Sequence, residues 1–342
     1  MILFKMAMRT DSIDSGTDAG TGQFDVSVVI PIRNGARYIE GCISFLKAQT
    51  YQDFEAIFVV DTRSDDGSLE KVRELAEQLP RSTVIPQDQG KRLGGNRNIG
   101  LEASSGEYIW FLDVDDAPSP YFIEEMRRLM IENPVDFVCC NFLNTNETGT
   151  IREKPRRTYR TKVLERDQAL IARNDEVFPV SSWCKMFSRS FLVDNGLLFE
   201  ESFAEDVVHT YRCVDACTRI CLYDRPLYAY RQTRGSICRG DLDARGLSEI
   251  KSYDEVDDIC TDPVILRKNA IMKIRSSGHM SYRGFMEFTK SERNRASYEK
   301  YLKGSFEGWW NIHISSLYWL AIRTYVALVY KRNGSYAMKK LK

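Results

Sequence analysis

The sequence carries no net charge, with 48 Lys and Arg set against 48 Asp and Glu. No global field draws it to nucleic acid, so any charge-based function must come from local clusters. Its nine cysteines form no CxxC pair. Cys213, Cys217 and Cys221 recur every four residues, yet no set of histidines accompanies them, which argues against a zinc site. An odd number of scattered thiols, in a chain long enough to fill its own core, needs no disulfide framework and suits a reducing cytoplasm. The opening MILFKMAMRT lacks a sustained apolar run and a small-residue cleavage site, so no secretory leader is read there. Internal repeats are also missing.

What is present begins after a polar tail. Residues 1–24 are rich in Thr, Ser, Asp and Gly without an apolar period, and are expected to be disordered. The run VSVVIPI, ending at Pro31 and followed by Asn34 and Gly35, suits a strand buried on both faces. A helical pattern over 36–49 and a second buried strand over 54–60 complete a βαβ unit. The alternation continues with a helix over 68–79, a short strand near 83–85, a glycine-rich loop QGKRLGGNRNIG and a helix from about Asn98 to Ala103. Strand 108–112, helix 120–131 and strand 136–142 follow, and 150–165 reads as a loop or hairpin. This order predicts an α/β domain over 25–240, with a mostly parallel sheet covered by helices on both faces. Beyond 240 the composition turns helical and charged, a second module over 241–342.

In open α/β sheets ligands bind beyond the carboxyl ends of the strands. Polar clusters fall at three such ends: Pro31 to Asn34, Asp61 to Asp66, and Asp113 to Asp116. Asp113, Asp115 and Asp116 directly follow the apolar strand YIWFL. Crowded carboxylates are costly unless a cation neutralises them, and Asp-x-Asp offers hard oxygens to Mg²⁺ or Mn²⁺ while phosphate oxygens complete the shell. A diphosphate bridged by such a metal is a good leaving group.

The ordered set VSVVIPIRN, FVVDTRSDDGS, GGNRNIGL, GEYIWFLDVDD, AEDVV and LYAYRQTRGSI, over residues 25–238, resembles the family-2 glycosyltransferases of the GT-A type. The resemblance implies an inverting transferase. It would move a sugar from a nucleotide diphosphate donor, a UDP-sugar by family frequency, to an acceptor hydroxyl on a glycan or lipid-linked glycan in cell-surface polysaccharide or lipopolysaccharide synthesis. It implies a nucleotide pocket at Pro31, Asn34, Asp61 and Asp66, and donor contacts from Arg97 and Asn98. By the same resemblance Asp113 would face ribose or metal, and Asp115 would ligate Mn²⁺ or Mg²⁺. Where family members commonly carry a second Asp, after Asp61, this chain has Thr62. Of the acidic pair Glu205-Asp206 the resemblance favours Asp206 as the base, whereas local reading alone would make the pair a helix cap. Trp183 and Lys185 match a segment lining the acceptor side, and Arg231, Arg234 and Ser236 match one that closes over the diphosphate. A metal-dependent nucleotidyltransferase and a non-catalytic nucleotide-sugar module are the competing classes. The former would need a glycine-rich loop with a basic signature where this chain has IRNGARY.

Between Trp309 and Tyr330 the only fully charged side chain is Arg323, and Trp310, Ile314, Leu317, Ala321, Tyr325 and Leu328 form an apolar stripe at helical spacing. Five of the last twelve residues are basic. Such a helix and tail can lie on the cytoplasmic face of an anionic membrane as a peripheral contact, or dock on the protein's own core.

Overall fold

The computed structural model describes residues 24–153, 159–201, 205–233 and 242–259, together with Leu266 and Asn269. Every position of β1 (Val26–Ile32) is buried, as a continuous β-branched run requires in a central strand. After it come α1 (Ala36–Lys47), β2 (Phe54–Asp61), α2 (Ser68–Ala76), β3 (Ser82–Gln87), α3 (Leu93–Glu102) and β4 (Tyr108–Phe111). The chain continues through β5 (Ala117–Pro118), α4 (Phe122–Glu132), β6 (Phe137–Thr145), β7 (Ile151–Glu153), β8 (Lys162–Glu165) and α5 (Arg166–Asn174). A single 3₁₀ turn (Ser182–Cys184) leads into β9 (Lys185–Ser188), then α6 (Arg189–Asp194), α7 (Glu205–Ala216), β10 (Arg219–Arg231) and α8 (Leu242–Ile259).

The described strands form one sheet in the order β3-β2-β1-β4-β9-β6-β10-β5, with β7 on β6 and β8 on β10. The three longest ladders, β10 with β6, β1 with β2 and β2 with β3, are parallel. From β1 the chain builds outward through β2 and β3, then crosses back to lay β4 on the other side of β1. That reversal opens a crevice beyond the carboxyl ends of β1 and β4. The sheet is mixed because β9 runs antiparallel between β4 and β6, with Met186 opposite both Trp110 and Val138. Four residues, KMFS, are too short to show a period in sequence, so this strand is visible only through its neighbours. The 150–165 segment contributes β7 and β8, both as antiparallel additions.

The glycine-rich stretch corrects an expectation. Read as a loop before a helix starting near Asn98, it is already helical from Leu93. Its glycines serve close packing: a Cβ on Gly100 would lie 2.2 Å from Val29 Cγ1, and one on Gly94 would lie 2.3 Å from the Glu200 carbonyl oxygen. The helix can therefore press against β1 on one side and the 199–201 segment on the other. Aromatic packing fills the sheet's faces, with Trp110 stacked on Phe122 at 4.0 Å and Phe111 edge-on to Phe199 and Phe187. Each such ring contributes about 1.5–3 kcal/mol when fully buried.

The chain divides into two units, Met1–Arg234 and Gly235–Lys342. In the second, Ile250, Tyr253 and Val256 of α8 are buried and Asn269 Nδ2 donates to Asp257 Oδ1 at 3.0 Å. The expected N-terminal tail up to residue 23, the 309–330 amphipathic helix and the basic tail lie outside the described residues.

Candidate active site

At the first strand end the polar residues tie two loops together. Asn34 sits in the left-handed region with φ of 50°. Its backbone N–H donates to Ser64 Oγ at 3.1 Å, and its side-chain oxygen accepts from the Asp65 N–H at 3.1 Å. Asp66 accepts from the Ala36 N–H at 2.8 Å, the first amide of α1, and from the Ser68 N–H at 3.1 Å. Burial works against its charge, but these bonds hold its pKa below the ordinary carboxylate value. Asp66, expected in the nucleotide pocket, braces the β1–α1 and β2–α2 loops. Pro31 is buried in β1.

Asp61 ends β2 with both oxygens engaged. Arg63 donates to it through Nε at 2.9 Å and Nη2 at 2.6 Å, and its backbone N–H adds a third bond at 3.0 Å. Arg33 lies 3.7 Å away. The Arg63 hydrogen bonds pull the Asp61 pKa down. Thr62, standing where a second Asp is common, directs its hydroxyl at the Gln87 carbonyl at 3.1 Å.

The second cluster is built around Arg97 of α3, only 1% exposed. Its Nη1 donates to Glu205 Oε1 at 2.7 Å and Asp206 Oδ1 at 3.2 Å, and its Nη2 donates to Asp113 Oδ1 at 3.0 Å. One guanidinium thus joins the end of β4 to the start of α7. Burial opposes its charge, but the three carboxylates raise its pKa, so it stays cationic. One positive charge does not balance three negative ones. Burial, with the Asp206 charge adding to it, pushes Glu205 up to about 7, and burial raises Asp113 as well, against Arg97. The side chain of Asp206 is 20% exposed and that of Glu205 6%, so Asp206 is the member of the pair that solvent reaches.

Both residues expected at the donor are engaged within the protein. Arg97 is enclosed among the three carboxylates. Asn98 exchanges both of its amide groups with the backbone of Phe199, at 2.9 Å each way, and so pins the 199 segment to α3. His209, one turn beyond Asp206, is fully buried and stacked on Phe199 with ring centres 3.7 Å apart, and burial holds its pKa at about 3. It is a neutral core ring.

Asp115 is pushed up to about 6 by burial and by the charge of Asp113, partly relieved by Arg231 and Arg37. Asp116 accepts from the Arg231 N–H at 2.7 Å and from Tyr228 Oη at 2.8 Å, which latches the acidic loop to the end of β10. Burial, then Asp115 and Asp113, raise its pKa. Arg37 and Arg231 both lie over the ring of Tyr38, at 4.6 and 5.6 Å. Arg37 was not singled out in sequence, since an arginine in the first turn of a helix carries no signal. Arg234 and Ser236 lie outside the described residues. Among the described residues no three His, Cys, Asp or Glu side chains converge as a ready metal cage. Asp113 and Asp115 nonetheless fit a hard cation: two crowded oxygen donors, both with raised pKa values, need positive charge, and Mg²⁺ or Mn²⁺ takes only one or two carboxylates beside substrate phosphates.

On the expected acceptor side, Lys185 is fully buried and donates to the carbonyls of Pro179 at 2.9 Å and Ser181 at 2.5 Å. It supports a turn from within, because an enclosed ammonium must satisfy its donors on nearby carbonyls. Trp183 is also buried, stacked between Tyr228 at 4.6 Å and Tyr230 at 5.4 Å. Its ring is part of an aromatic core and leaves little face for a sugar. An open groove of about 800 Å³, lined by Tyr108, Asp136 and Arg219 among others, lies at the amino ends of β4, β6 and β10, away from this site.

Residues 27–195 match the model of the glycosyl transferase family 2. Over this span the chain is similar to the family 2 glycosyl transferases. Among its relatives are the uncharacterized glycosyltransferase EpsJ of Bacillus subtilis (strain 168), 30% identical over 223 residues, and the glycosyltransferase GlyG of Streptococcus pneumoniae serotype 4, 27% identical over 247 residues. The first match covers 62% of this chain and 62% of EpsJ, so the chain spans under two thirds of that relative; the second covers 66% and 78%. Staphylococcus aureus TarS 1–349, solved with UDP-GlcNAc, superposes with a TM-score of 0.61 at 16% identity, over 85% of this chain and 95% of that one. The mannosyltransferase PcManGT of Pyrobaculum calidifontis, solved with GDP-Man and Mn²⁺, gives 0.53 at 16% identity, over 92% and 88%. These likenesses establish the GT-A fold, the mixed and mostly parallel sheet described above.

Proposed function

We propose that this chain is a family 2 glycosyltransferase, inverting and metal-dependent, that moves a sugar from a nucleotide diphosphate donor to an acceptor hydroxyl. The observation that carries the reading is the Arg97 cluster. It draws a carboxylate of the Asp113-Val114-Asp115 motif and the Glu205-Asp206 pair to one guanidinium at the mouth of the β1–β4 crevice. A site for diphosphate departure and a site for proton removal thus share one support.

Asp206 is the base in this reading. It is the exposed member of its pair, while Glu205 is buried against Arg97. A carboxylate there can take the acceptor proton as the oxygen attacks the anomeric carbon. Asp113 and Asp115 would hold Mn²⁺ or Mg²⁺, which when bound neutralises charge on the departing diphosphate. Arg231 and Arg37, flanking Tyr38, suit the diphosphate through their forked donors. TarS, a neighbour solved with UDP-GlcNAc, supports a UDP-sugar, and PcManGT with Mn²⁺ supports the metal. A glycan or lipid-linked glycan acceptor in cell-surface polysaccharide synthesis, and a cytoplasmic location with peripheral membrane contact through residues 309–342, belong to the same proposal. Among the described residues no helix is long and apolar enough to cross a membrane.

The test is a panel of nucleotide sugars with Mn²⁺, read by release of nucleotide diphosphate. One donor should be turned over, with the release abolished by EDTA and by Asp115→Asn at unchanged thermal stability. Donor binding without release, across the panel and with glycan acceptors added, would instead make the chain a nucleotide-sugar-binding module. Full turnover in chelator would remove the metal.

A further inference from the structure

The two oxygens of Asp206 have different surroundings. Oδ1 accepts from Ser182 Oγ at 2.6 Å and from Arg97 Nη1 at 3.2 Å. Among the described residues no side chain donates to Oδ2. Ser182 is fully buried, and the turn that carries it is held from two directions. Lys185 Nζ grips the carbonyls of Pro179 and Ser181 just before it, and Thr210 Oγ1, one turn along α7 from Asp206, donates to the Val180 carbonyl at 2.5 Å. The hydroxyl therefore has little freedom to follow the carboxylate; the carboxylate must orient to the hydroxyl.

We infer that Ser182 is a positioning residue: with Arg97 it occupies Oδ1 of Asp206 and so presents Oδ2 as the atom that takes the acceptor proton. The inference rests on Asp206 being the base. In the step it serves, the acceptor O–H bond breaks and its proton passes to Oδ2. The acceptor oxygen bonds to the anomeric carbon, and the bond from that carbon to the diphosphate breaks with its electron pair leaving on phosphate oxygen. A carboxylate free to rotate would average its two oxygens over poses that do not meet the acceptor, whereas two donors on one oxygen fix the other. The same donors explain the buried lysine, which packing alone would not require: it anchors the turn that anchors the base.

A double-mutant cycle tests this, measuring nucleotide diphosphate release from the best donor of the panel with water as acceptor, so that no glycan need be known. Ser182→Ala should lower kcat by about 10- to 100-fold, the size of a lost hydrogen bond to a charged group, with the donor KM within about twofold. Ser182→Thr, which keeps the hydroxyl, should recover most of the rate. In an Asp206→Asn background Ser182→Ala should cost almost nothing further, because there is no longer a base to orient. Urea midpoints for all four proteins separate rate from folding. If Ser182→Ala slows the Asp206→Asn enzyme as much as it slows wild type, or leaves wild type unaffected while Asp206→Asn is inactive, the inference fails and the base assignment stands. If Asp206→Asn turns over at the wild-type rate, the base assignment fails and the inference with it.

Discussion

The two halves of the site are held together in opposite ways. On the nucleotide side, Asp61 is paired with Arg63 two residues away, and Asn34 and Asp66 link adjacent loops through half-exposed hydrogen bonds. On the transfer side, Arg97 reaches partners 108 and 109 positions along the chain, in a spot where it is all but sealed from water. In the first of these, Asp61 is itself buried, but its counter-cations Arg63 and Arg33 stand 43% and 58% exposed. In the second, unbalanced charge in a low-dielectric setting raises pKa values and makes each partner depend on the others.

The largest expected effect is on the transfer side. Asp206→Asn keeps size and hydrogen bonding but cannot take a proton, so kcat should fall by about 10² to 10⁴ with donor affinity little changed. Glu205→Gln should appear in thermal stability before it appears in rate; an inactive, folded Glu205→Gln beside an active Asp206→Asn would move the base by one residue. Next in size is Arg97→Met, which leaves three carboxylates facing one another and should cost about 3–5 kcal/mol in chemical denaturation. A cost near zero would show that the cluster is wet and the contrast between the halves false.

A pH series sharpens the same contrast. Burial holds His209 near 3 against its ordinary 6.5, so the folded state keeps it neutral and only the unfolded chain takes up its proton. Its contribution is full above pH 6.5 and is lost as pH falls from 6.5 toward 3. Glu205 runs the other way. Raised from 4.5 to about 7, it binds a proton more readily when folded, and stability from it grows as pH falls from 7 to 4.5. The two offset between pH 6.5 and 4.5. His209→Phe keeps a ring against Phe199 and removes one side of the balance. Its stability should therefore gain on wild type by up to about 1.4 kcal/mol per pH unit on acidification through that window. A constant difference would mean that His209 titrates normally. The smallest effect belongs to the nucleotide side: Arg63 is 43% exposed and Arg33 is a second cation beside Asp61, so Arg63→Ala should lower the urea midpoint far less than Arg97→Met does. A shift as large as that of Arg97→Met would erase the distinction between the halves.

Much of this architecture was legible before any coordinates. Continuous β-branched runs marked β1 and β2, their punctuation marked the loops, and acids at strand ends marked the crevice, because each signal lies within a few residues of the feature it encodes. Asp61, Asp113 and the Glu205-Asp206 pair could be singled out on that basis together with the family pattern. What each does was harder to read. Arg97 and Asn98 were assigned to the donor, and the structure engages one among three carboxylates and the other on the Phe199 backbone. Lys185 was assigned to the acceptor and is a buried anchor.

The sequence by itself thus determined the element types, the family pattern and the positions of the acids, since propensity, periodicity and turn chemistry are local. Only the tertiary structure decided which acids share a counter-ion, that β9 slips in antiparallel between β4 and β6, and that Ser182 meets Asp206. These depend on segments far apart in the chain being pressed together, and the free energy of such contacts comes from burial, which no single stretch of sequence contains.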